Sequence, residues 1–286
     1  MITCFLFGSG SYEILNFSHD ARSLSLHNAA SAYDRSQLRN NPASLSLTNE
    51  QTTYSYLILP ADIHSGEIQR VRKRGLGIHA VKLSFINYGT IVDDETRRQS
   101  TAYEILFGMG YKMELKNIVS LGISGGYLLS SISGYNSQML YSNIGIRSRM
   151  MKKRMGLGFS LENIGLLFTS YTIVRESIPT IFRSSMYYRP KYLPAIINID
   201  IIRYLNRDAT ELSYGLEFNP EIGLTFRIGL SSDRTDFLTG DFSSDLLVDL
   251  SAGIGFKFNK INLDVGYKNL GAIGYIVGFS IVKRVD

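Results

Sequence analysis

Residues 122–126, Gly-Ile-Ser-Gly-Gly, match the G-x-S-x-G pattern in which hydrolases place a nucleophilic serine. That chemistry needs a sharp strand-to-helix turn under the serine and a histidine later in the chain that removes its proton. All four histidines precede Ser124, and no helical pattern follows it. A strand whose small residues share one face explains the motif better. We therefore predict that the protein is not an enzyme.

The remaining polar side chains do not have the spacing of a metal or cofactor site. The histidines, His19, His27, His64 and His79, are scattered along the chain. The acidic stretch 232–244 is a candidate Ca²⁺ loop, but the spacing of Asp233, Asp236 and Asp241 does not fit a calcium-binding loop. The single Cys4 excludes an intrachain disulfide and a cysteine cluster. We predict no metal, no cofactor and no nucleic-acid partner.

Alternation of apolar residues with small or charged residues is the dominant pattern of the chain, and a period of two is typical of β-strands. It recurs in 155–161, 222–230 and 245–258. In 101–113 the apolar face consists of Tyr103, Ile105, Phe107, Met109, Tyr111 and Met113. The opposite face there consists of Glu104, Gly108, Gly110 and Lys112. Abundant glycine (26) and scarce proline (6) also argue against disorder.

About fourteen such strands can be placed along the chain. They lie near 53–60, 62–71, 75–87, 100–113, 118–131, 138–150, 154–163, 180–189, 192–204, 210–219, 222–232, 245–258, 261–268 and 274–282. Many are long enough for a tilted strand to cross a bilayer, which takes about 9–11 residues. Apolar residues facing lipid and small or polar residues facing the lumen are typical of membrane barrels. We predict an all-β fold, a transmembrane antiparallel β-barrel of about 14 strands; a soluble β scaffold, with its apolar face inside, is the alternative.

The lengths of the connections support the membrane interpretation. Every long connection is odd-numbered: 88–99, 132–137, 164–179 and 233–244. The even-numbered ones are tight turns: 72–74, 114–117, 151–153, 190–191, 220–221 and 259–260. Outer-membrane barrels have short periplasmic turns and longer outer loops. The sequence therefore predicts a protein of the outer membrane of a Gram-negative bacterium.

Basic residues gather at the predicted periplasmic rim. They are Arg70, Arg72, Lys73, Arg74, Lys152, Lys153, Arg154 and Lys191. The simple interpretation is a set of solvated turns. The alternative is contact with anionic lipid, lipopolysaccharide or an acidic partner, which the net charge of +5 also suits.

Residues 12–47 resemble the N-terminal segment of the PorV/PorQ family, relatives of FadL-type outer-membrane barrels. The likeness rests on Ala21, Arg22, Leu24, Ala29, Ala30, Asn41, Pro42 and Ala43. It continues at 86–91, 160–165 and 176–183, and the opening and the Asn-Tyr-Gly at 87–89 favour the PorQ branch.

The resemblance implies that 12–52 form a hatch segment in the lumen of a barrel formed by 53–286. Ala21, Arg22, Asn41, Pro42 and Ala43 are its structural motif, and the Asn41–Pro42 turn is expected to lead the chain into the wall. Room for the hatch is expected at Gly122, Gly126, Gly156, Gly158, Gly253 and Gly255. Residues 1–11 are expected to be a signal-peptide-like remnant or a disordered start.

Two functions follow from the resemblance. The first is a non-enzymatic component or accessory of type IX protein secretion or surface attachment, which binds a protein or lipopolysaccharide-linked partner. The second is FadL-like transport of hydrophobic small molecules, which predicts an apolar pocket beside the hatch and a strand kink that interrupts pairing. The window 75–85 is the candidate kink, because its apolar residues change face between Ala80 and Val81.

Overall fold

The computed structural model describes residues 12–17, 19–33, 38, 40–47, 49–92, 99–115, 118–172, 176–220, 223–232 and 247–285. Fourteen strands form in this part of the chain. They are β1 (Gln51–Leu59), β2 (Ile63–Arg74), β3 (Gly77–Val92), β4 (Gln99–Leu115), β5 (Val119–Ile132), β6 (Tyr135–Met150), β7 (Met155–Thr169), β8 (Ile181–Tyr188), β9 (Ala195–Tyr204), β10 (Ala209–Phe218), β11 (Leu224–Ser231), β12 (Ser251–Phe258), β13 (Ile261–Asn269) and β14 (Tyr275–Arg284).

The strands close into a single barrel in which each pairs antiparallel with its neighbours in the chain. The closure joins β1 to β14, in register from Gln51 opposite Arg284 to Ile58 opposite Val277. In a closed barrel the backbone N–H and C=O groups of every strand are hydrogen-bonded to a neighbouring strand. β-Strands inside the hydrocarbon of a membrane require this, because no water is available there. The predicted antiparallel barrel of about 14 strands is confirmed.

The faces of the wall are arranged as the alternation predicts. In β4, Phe107 and Met109 are 43% and 54% exposed, whereas Glu104 and Lys112, on the other face, are 4% and 3% exposed. In β4 the exposed bulky side chains therefore point away from the barrel, and the charged residues point into it. An exterior of this kind is stable only against lipid. The barrel therefore spans a membrane, and a closed antiparallel barrel of this kind is typical of the expected location, the outer membrane of a Gram-negative bacterium.

The two ends of the barrel differ as expected in their longest connections, although the predicted tight turn at 190–191 is longer, at 189–194. The longest connections, 170–180 and 232–250, are both odd-numbered and lie at the same end, which we call the loop end. The opposite end, which we call the turn end, carries the even-numbered connections. The predicted long connection at 132–137 is wrong: Ser133 and Gly134 alone join β5 to β6. Their φ angles of 52° and 87° allow a tight hairpin turn.

The predicted strand at 245–258 begins too early, since β12 starts at Ser251. Asp249 has a φ of 60°, which interrupts an extended chain, and its carboxylate accepts hydrogen bonds from His27 and Ser231. These inward contacts hold 247–250 as a turn. The candidate calcium ligands Asp233, Asp236 and Asp241, like Cys4 and the start of the chain, lie outside the described residues.

The predicted kink in 75–85 is also wrong. Pairing of β3 with β2 and β4 is continuous from Gly77 to Asn87. Both faces are apolar there because the inward residues Ile78 and Ala80 pack against Leu38 and Leu45 of the chain inside the barrel. The register shifts lie elsewhere, next to Gly89 in β3 and at two places in β7.

Residues 12–50, which we call the lumen segment, precede β1. The short helix α1 (Ala21–Ser25) packs against β1 and β11–β14. The 3₁₀ turn Pro42–Ser44 packs against β4–β7, on the other side of the barrel. A further 3₁₀ turn, Glu13–Leu15, contacts β3 and β4. The lumen segment therefore crosses the interior of the barrel. Within the described residues, no helix has the length and apolar character that a membrane span requires.

Candidate functional site

Ala21 and Arg22 fix one side of the lumen segment. The amide of Ala21 donates to Ser280 Oγ at 2.9 Å, and its carbonyl oxygen lies so close to Gly266 that a side chain on Gly266 would collide with it. Arg22 forms a two-point ion pair with Glu217, with Nε 2.9 Å from Oε2 and Nη2 3.4 Å from Oε1. Gly266 lets the segment approach the wall closely, and Arg22 binds the wall through its ion pair with Glu217.

Asn41, Pro42 and Ala43 fix the other side. The Asn41 carboxamide accepts from the Ala43 amide at 2.9 Å and donates to the carbonyl oxygens of Ile146 and Phe159 at 3.1 and 3.3 Å. The turn is buried inside the barrel and rests directly on Gly122. It docks the segment on β5–β7, and the chain then continues through 45–50 to β1.

Some of the inward glycines expected to leave room for the segment face it. Gly122 lies against Pro42 and Ala43, Gly158 against Asn41, and Gly253 against Ser25. The other three, Gly126, Gly156 and Gly255, face strand neighbours instead. Close approach to the segment also occurs at glycines that sequence analysis did not single out: Gly110, Gly145, Gly215, Gly229 and Gly266.

Two groups of buried charges pair across the lumen. Glu217 is shared between Arg22 and Arg227, whose Nε lies 2.7 Å from it, and Arg227 Nη1 lies 2.6 Å from Asp264. A second group joins Arg183 to Glu162 and Asp200. Because buried charges must be paired, these side chains neutralise one another across several strands.

His27 ties the segment to the loop end through Asp249, with Nε2 2.9 Å from Oδ1. Burial opposes ionisation of this carboxyl, but the hydrogen bond from His27 and the charge of Lys268 outweigh it and lower the pKa of Asp249 to about 2. The ionised carboxylate is thus a permanent acceptor at neutral pH.

Towards the loop end the lumen is apolar. In β1 the inward residues change from Gln51, Thr53 and Ser55 to Leu57 and Leu59 along the strand. Neighbouring strands repeat the change, and together they form a buried cluster that consists of Leu57, Leu59, Ile63, Ile86, Leu106, Leu128, Met139, Tyr141 and Ile276. A water-filled porin lumen would be polar at this level. Sequence analysis missed this cluster, although the polar-to-apolar change on the inward face of β1 indicates it.

The lumen segment and an outer loop cover this apolar cluster. Ile14 of the segment is buried in it, and Tyr171 and Ile178 of the 170–180 connection pack onto it. Tyr12 stacks on Tyr171 with ring centroids 6.1 Å apart, and its hydroxyl lies 2.7 Å from Ser137 Oγ. The apolar space is therefore closed on the loop side.

Glu13 lies at this cover with an unusual protonation equilibrium. Burial, reinforced by the negative charge of Glu104, raises the pKa of Glu13 to about 9, against the opposing effect of Arg207. At neutral pH the docked segment therefore holds Glu13 as the neutral acid.

A small cavity of about 30 Å³ lies beside the segment, below the apolar cluster. Its walls are mixed: Ile14, Phe17, Leu38, Leu106 and Tyr141 are apolar, and Asn40, Lys82, Ser124, Asn143 and Asn163 are polar. The expected pocket beside the hatch exists, but it is neither large nor wholly apolar.

The wall next to this cavity is irregular. Between Ser142 and Ile144, β7 has one residue more than β6, so that Glu162 and Asn163 both point inward. Asn163 has a φ of 59°, its amide donates to Asn143 Oδ1 at 2.7 Å, and its side chain donates to Asn16 Oδ1 and Pro179 O. This β-bulge interrupts strand pairing at the level of the cavity.

The predicted rim residues lie at the turn end: Lys191 is exposed in the β8–β9 connection, and the others form two groups. The first group consists of Arg70, Arg72, Lys73 and Arg74, which are among the last five residues of β2. They lie in the strand because β2 extends to Arg74, and the connection to β3 is only 75–76. Lys152, Lys153 and Arg154 lie in the β6–β7 connection, where Lys152 and Lys153 are exposed.

The candidate nucleophile lies in a regular strand. Ser124 is inside β5, and its Oγ accepts a hydrogen bond from Asn143 at 3.1 Å. The predicted strand is confirmed at this motif. The histidines have other partners, such as Ser65 for His19 and Tyr56 for His64. Among the described residues, no three His, Asp or Glu side chains converge as metal ligands.

No family model and no curated protein matches the chain. Solved structures do match over nearly its whole length. A deletion mutant of the TodX monoaromatic hydrocarbon channel has a TM-score of 0.68 at 11% identity and covers 94% of this chain and 99% of its own. The Ralstonia pickettii toluene transporter TbuX has a TM-score of 0.66 at 10% identity, with 95% and 99% covered. The Pseudomonas putida toluene transporter TodX has a TM-score of 0.62 at 11% identity, with 93% and 96% covered. This likeness shows that the fold is FadL-like.

Proposed function

We propose that this protein is an outer-membrane channel that admits hydrophobic small molecules. The observation that carries the proposal is the apolar lumen at the loop end. Inward-facing leucines and isoleucines on at least six strands give an apolar molecule a favourable site, because water leaves both surfaces on binding. The same lining opposes sugars and ions, which would lose their hydration there.

The structural neighbours support this class of cargo. They are described as a monoaromatic hydrocarbon channel and as toluene transporters. A monoaromatic hydrocarbon is small, neutral and apolar, and it would fit a site lined by Leu57, Leu106 and Leu128 without any polar partner. The match in fold and the chemistry of the lumen therefore favour the same kind of molecule.

Transport requires the lumen segment to move. The cavity beside it encloses about 30 Å³, whereas an engineered apolar cavity that binds benzene measures about 150 Å³. The described conformation is thus a closed state. Withdrawal of 12–17 from the apolar cluster would open a space lined by the cluster itself.

The route out of the lumen that we propose is the β6–β7 wall. The bulge at Asn163 interrupts the pairing beside the cavity, and an apolar molecule that leaves there enters lipid and not water. The kink that transport predicts therefore lies in β7 and not in β3.

Protein secretion remains a prediction of the PorV/PorQ resemblance. The neighbours favour transport over a type IX role, and the apolar lumen has no part in binding a folded protein. A protein partner of the outer loops stays a prediction of that resemblance.

Uptake of radiolabelled toluene by cells that express the protein tests the proposal. We expect uptake above that of cells with an empty vector, and no increase for a disaccharide. Leu106→Gln, which puts an amide into the apolar cluster at a cost of about 1–3 kcal/mol, should reduce toluene uptake. Ile78→Gln, an equivalent change at the turn end of the lumen, should not. Disaccharide uptake equal to that of toluene would contradict the proposal.

A further inference from the structure

We infer that the outer face of β2–β6 binds one anionic phospholipid of the periplasmic leaflet, with its phosphate at Arg70 and Arg72 and an acyl chain in an apolar groove. The groove encloses about 840 Å³ on the lipid-facing side of the wall. It lies on the opposite face from the lumen, so this site is separate from the proposed transport path.

The floor of the groove is a row of paired residues that crosses five strands. Arg70 pairs with Val81, Val81 with Met109, Met109 with Gly125, and Gly125 with Ser142. Gly125 and Ser142 are small residues in an otherwise bulky lipid-facing surface. Their place in the row leaves a notch in the wall.

Bulky side chains form the two sides of the notch. On the turn side the neighbouring row contains Tyr111 and Ile123, and on the loop side it contains Phe107, Tyr127 and Leu140. Neighbouring strands are about 4.8 Å apart, so the row from Ser142 to Arg70 spans roughly 19 Å. A long narrow groove of this kind suits a hydrocarbon chain better than a compact molecule.

The row slopes towards the turn end. Ser142 is eight residues from the end of β6 at Met150, Met109 is six from the end of β4 at Leu115, and Arg70 is four from the end of β2 at Arg74. The notch therefore lies near the middle of the wall, and the arginines lie close to the rim. This is the orientation of a lipid whose head group is at the interface and whose tail is in the hydrocarbon.

The basic end has donors that suit a phosphate. Arg70 and Arg72 both line the groove, together with His79, which faces Arg72 across the strand pair. Arg70 Nη2 lies 3.7 Å from Glu50, an exposed contact that leaves its other donors to a ligand. Arginine binds phosphate oxygens through two parallel N–H groups, and basic pockets next to apolar surfaces bind anionic head groups.

The charge of the groove and its position in the membrane favour an anionic phospholipid over other ligands. A neutral hydrocarbon gains nothing from two arginines. Lipopolysaccharide lies in the outer leaflet, at the loop end, whereas the short turns at this end face the periplasm. An anionic phospholipid matches the apolar notch, the basic end and the leaflet together.

Native mass spectrometry of the detergent-purified protein tests the inference. The probes are phosphatidylglycerol and phosphatidylcholine with the same acyl chains, titrated separately. The wild type should bind one phosphatidylglycerol more tightly than phosphatidylcholine. In Arg70→Gln/Arg72→Gln, affinity for phosphatidylglycerol should fall by about tenfold or more, since each lost arginine removes an attraction to anionic lipid.

Two variants separate a specific site from general attraction to lipid. Ser142→Leu fills the notch on the lipid-facing surface and should weaken binding of both lipids. Lys152→Gln/Lys153→Gln removes the same charge from the same rim, away from the groove, and should leave binding unchanged. Equal loss in the two charge variants, no preference for phosphatidylglycerol, or unchanged binding in Ser142→Leu would overturn the inference. None of these outcomes depends on toluene uptake.

Discussion

At the residue scale, Arg22 anchors the lumen segment through an ion pair inside the barrel. Glu217 neutralises it, and Arg227 and Asp264 extend the pairing to β11 and β13. Burial alone would favour the neutral form, but the charge of Glu217 prevails and raises the pKa of Arg22 above its usual value. The arginine therefore stays ionised while the segment is docked.

Arg22→Gln should loosen the segment. The substitution removes two hydrogen bonds to a buried carboxylate that keeps Arg227, so we expect docking to weaken by about 1–3 kcal/mol. Hydrogen exchange at residues 19–33 measures this as faster exchange. Arg70→Gln, which breaks an exposed ion pair worth little, is the control and should leave exchange unchanged. Equal exchange in wild type and Arg22→Gln would show that the pair does not hold the segment.

The raised pKa of Glu13 predicts that docking of the lumen segment depends on pH. Its pKa is about 9 in the docked state and near 4.5 in the undocked chain, so the docked state binds the proton more tightly. The docked state is therefore favoured fully below pH 4.5, and this advantage is lost as the pH rises towards 9. After division by the intrinsic exchange rate at each pH, hydrogen exchange at residues 12–17 should accelerate over this interval. In Glu13→Gln the acceleration should be smaller; an unchanged pH profile in that variant would refute the assignment to Glu13.

At the scale of elements, the bulge in β7 interrupts the alternation of side chains, because the consecutive residues Glu162 and Asn163 both point inward. Asn163 is the additional residue opposite Asn143, and its side chain and amide are fully used by Asn16, Pro179 and Asn143. These contacts replace the ladder hydrogen bonds that the bulge removes. The wall is thus closed by side chains at the point where an apolar molecule would leave.

Deletion of Asn163 should close the proposed exit. The remaining sequence keeps its alternation, with Leu161 and Ile164 outward and Glu162 inward, and it can pair continuously with β6. We expect the barrel to fold and toluene uptake to fall. The heat-dependent shift of barrel mobility in gels monitors folding, and deletion of Gly89, the positive-φ residue at the β3 bulge, is the matched control. Undiminished uptake in a folded Asn163 deletion would exclude the β6–β7 exit.

The strands were predictable from the sequence because lipid imposes a strict period of two. Phe107, Met109 and Ile123 are outward as expected, and most strand ends agree within a few residues. The errors occur where contacts distant in sequence decide the structure. Ile78 and Ala80 are apolar because they meet Leu38 and Leu45, and Asp249 ends a strand because it meets His27. The local alternation of side chains does not predict these long-range contacts.

For the candidate site, the sequence indicated where the segment approaches the wall, but not what it encloses. Ala21 and Asn41 were singled out, and the structure places both against glycines of the barrel. Glu217, Arg227 and Asp264 were not, because each is a single charge on a different strand. Only closure of the barrel brings them together.

At the scale of the whole molecule, the protein is a barrel whose lumen contains charged pairs and, near the loop end, an apolar cluster, with one segment across it. The charged pairs hold the segment, and in the proposed transport the apolar cluster would bind a hydrophobic molecule once 12–17 withdraw. Transport by this route requires a segment that is both well anchored and displaceable. That combination separates a gated channel from an open pore.

A reversible tether between the segment and the wall tests this account most directly. A Cβ atom on Gly215 would lie 3.2 Å from the Ala29 Cβ, close to the separation of about 3.5–4.5 Å across a disulfide. The variant is Ala29→Cys/Gly215→Cys in a Cys4→Ser background, with Ala29→Cys alone as the control. Toluene uptake is measured before and after reduction. We predict that uptake is lost in the oxidised pair and restored by reductant; uptake that is the same in both states would contradict a movable segment.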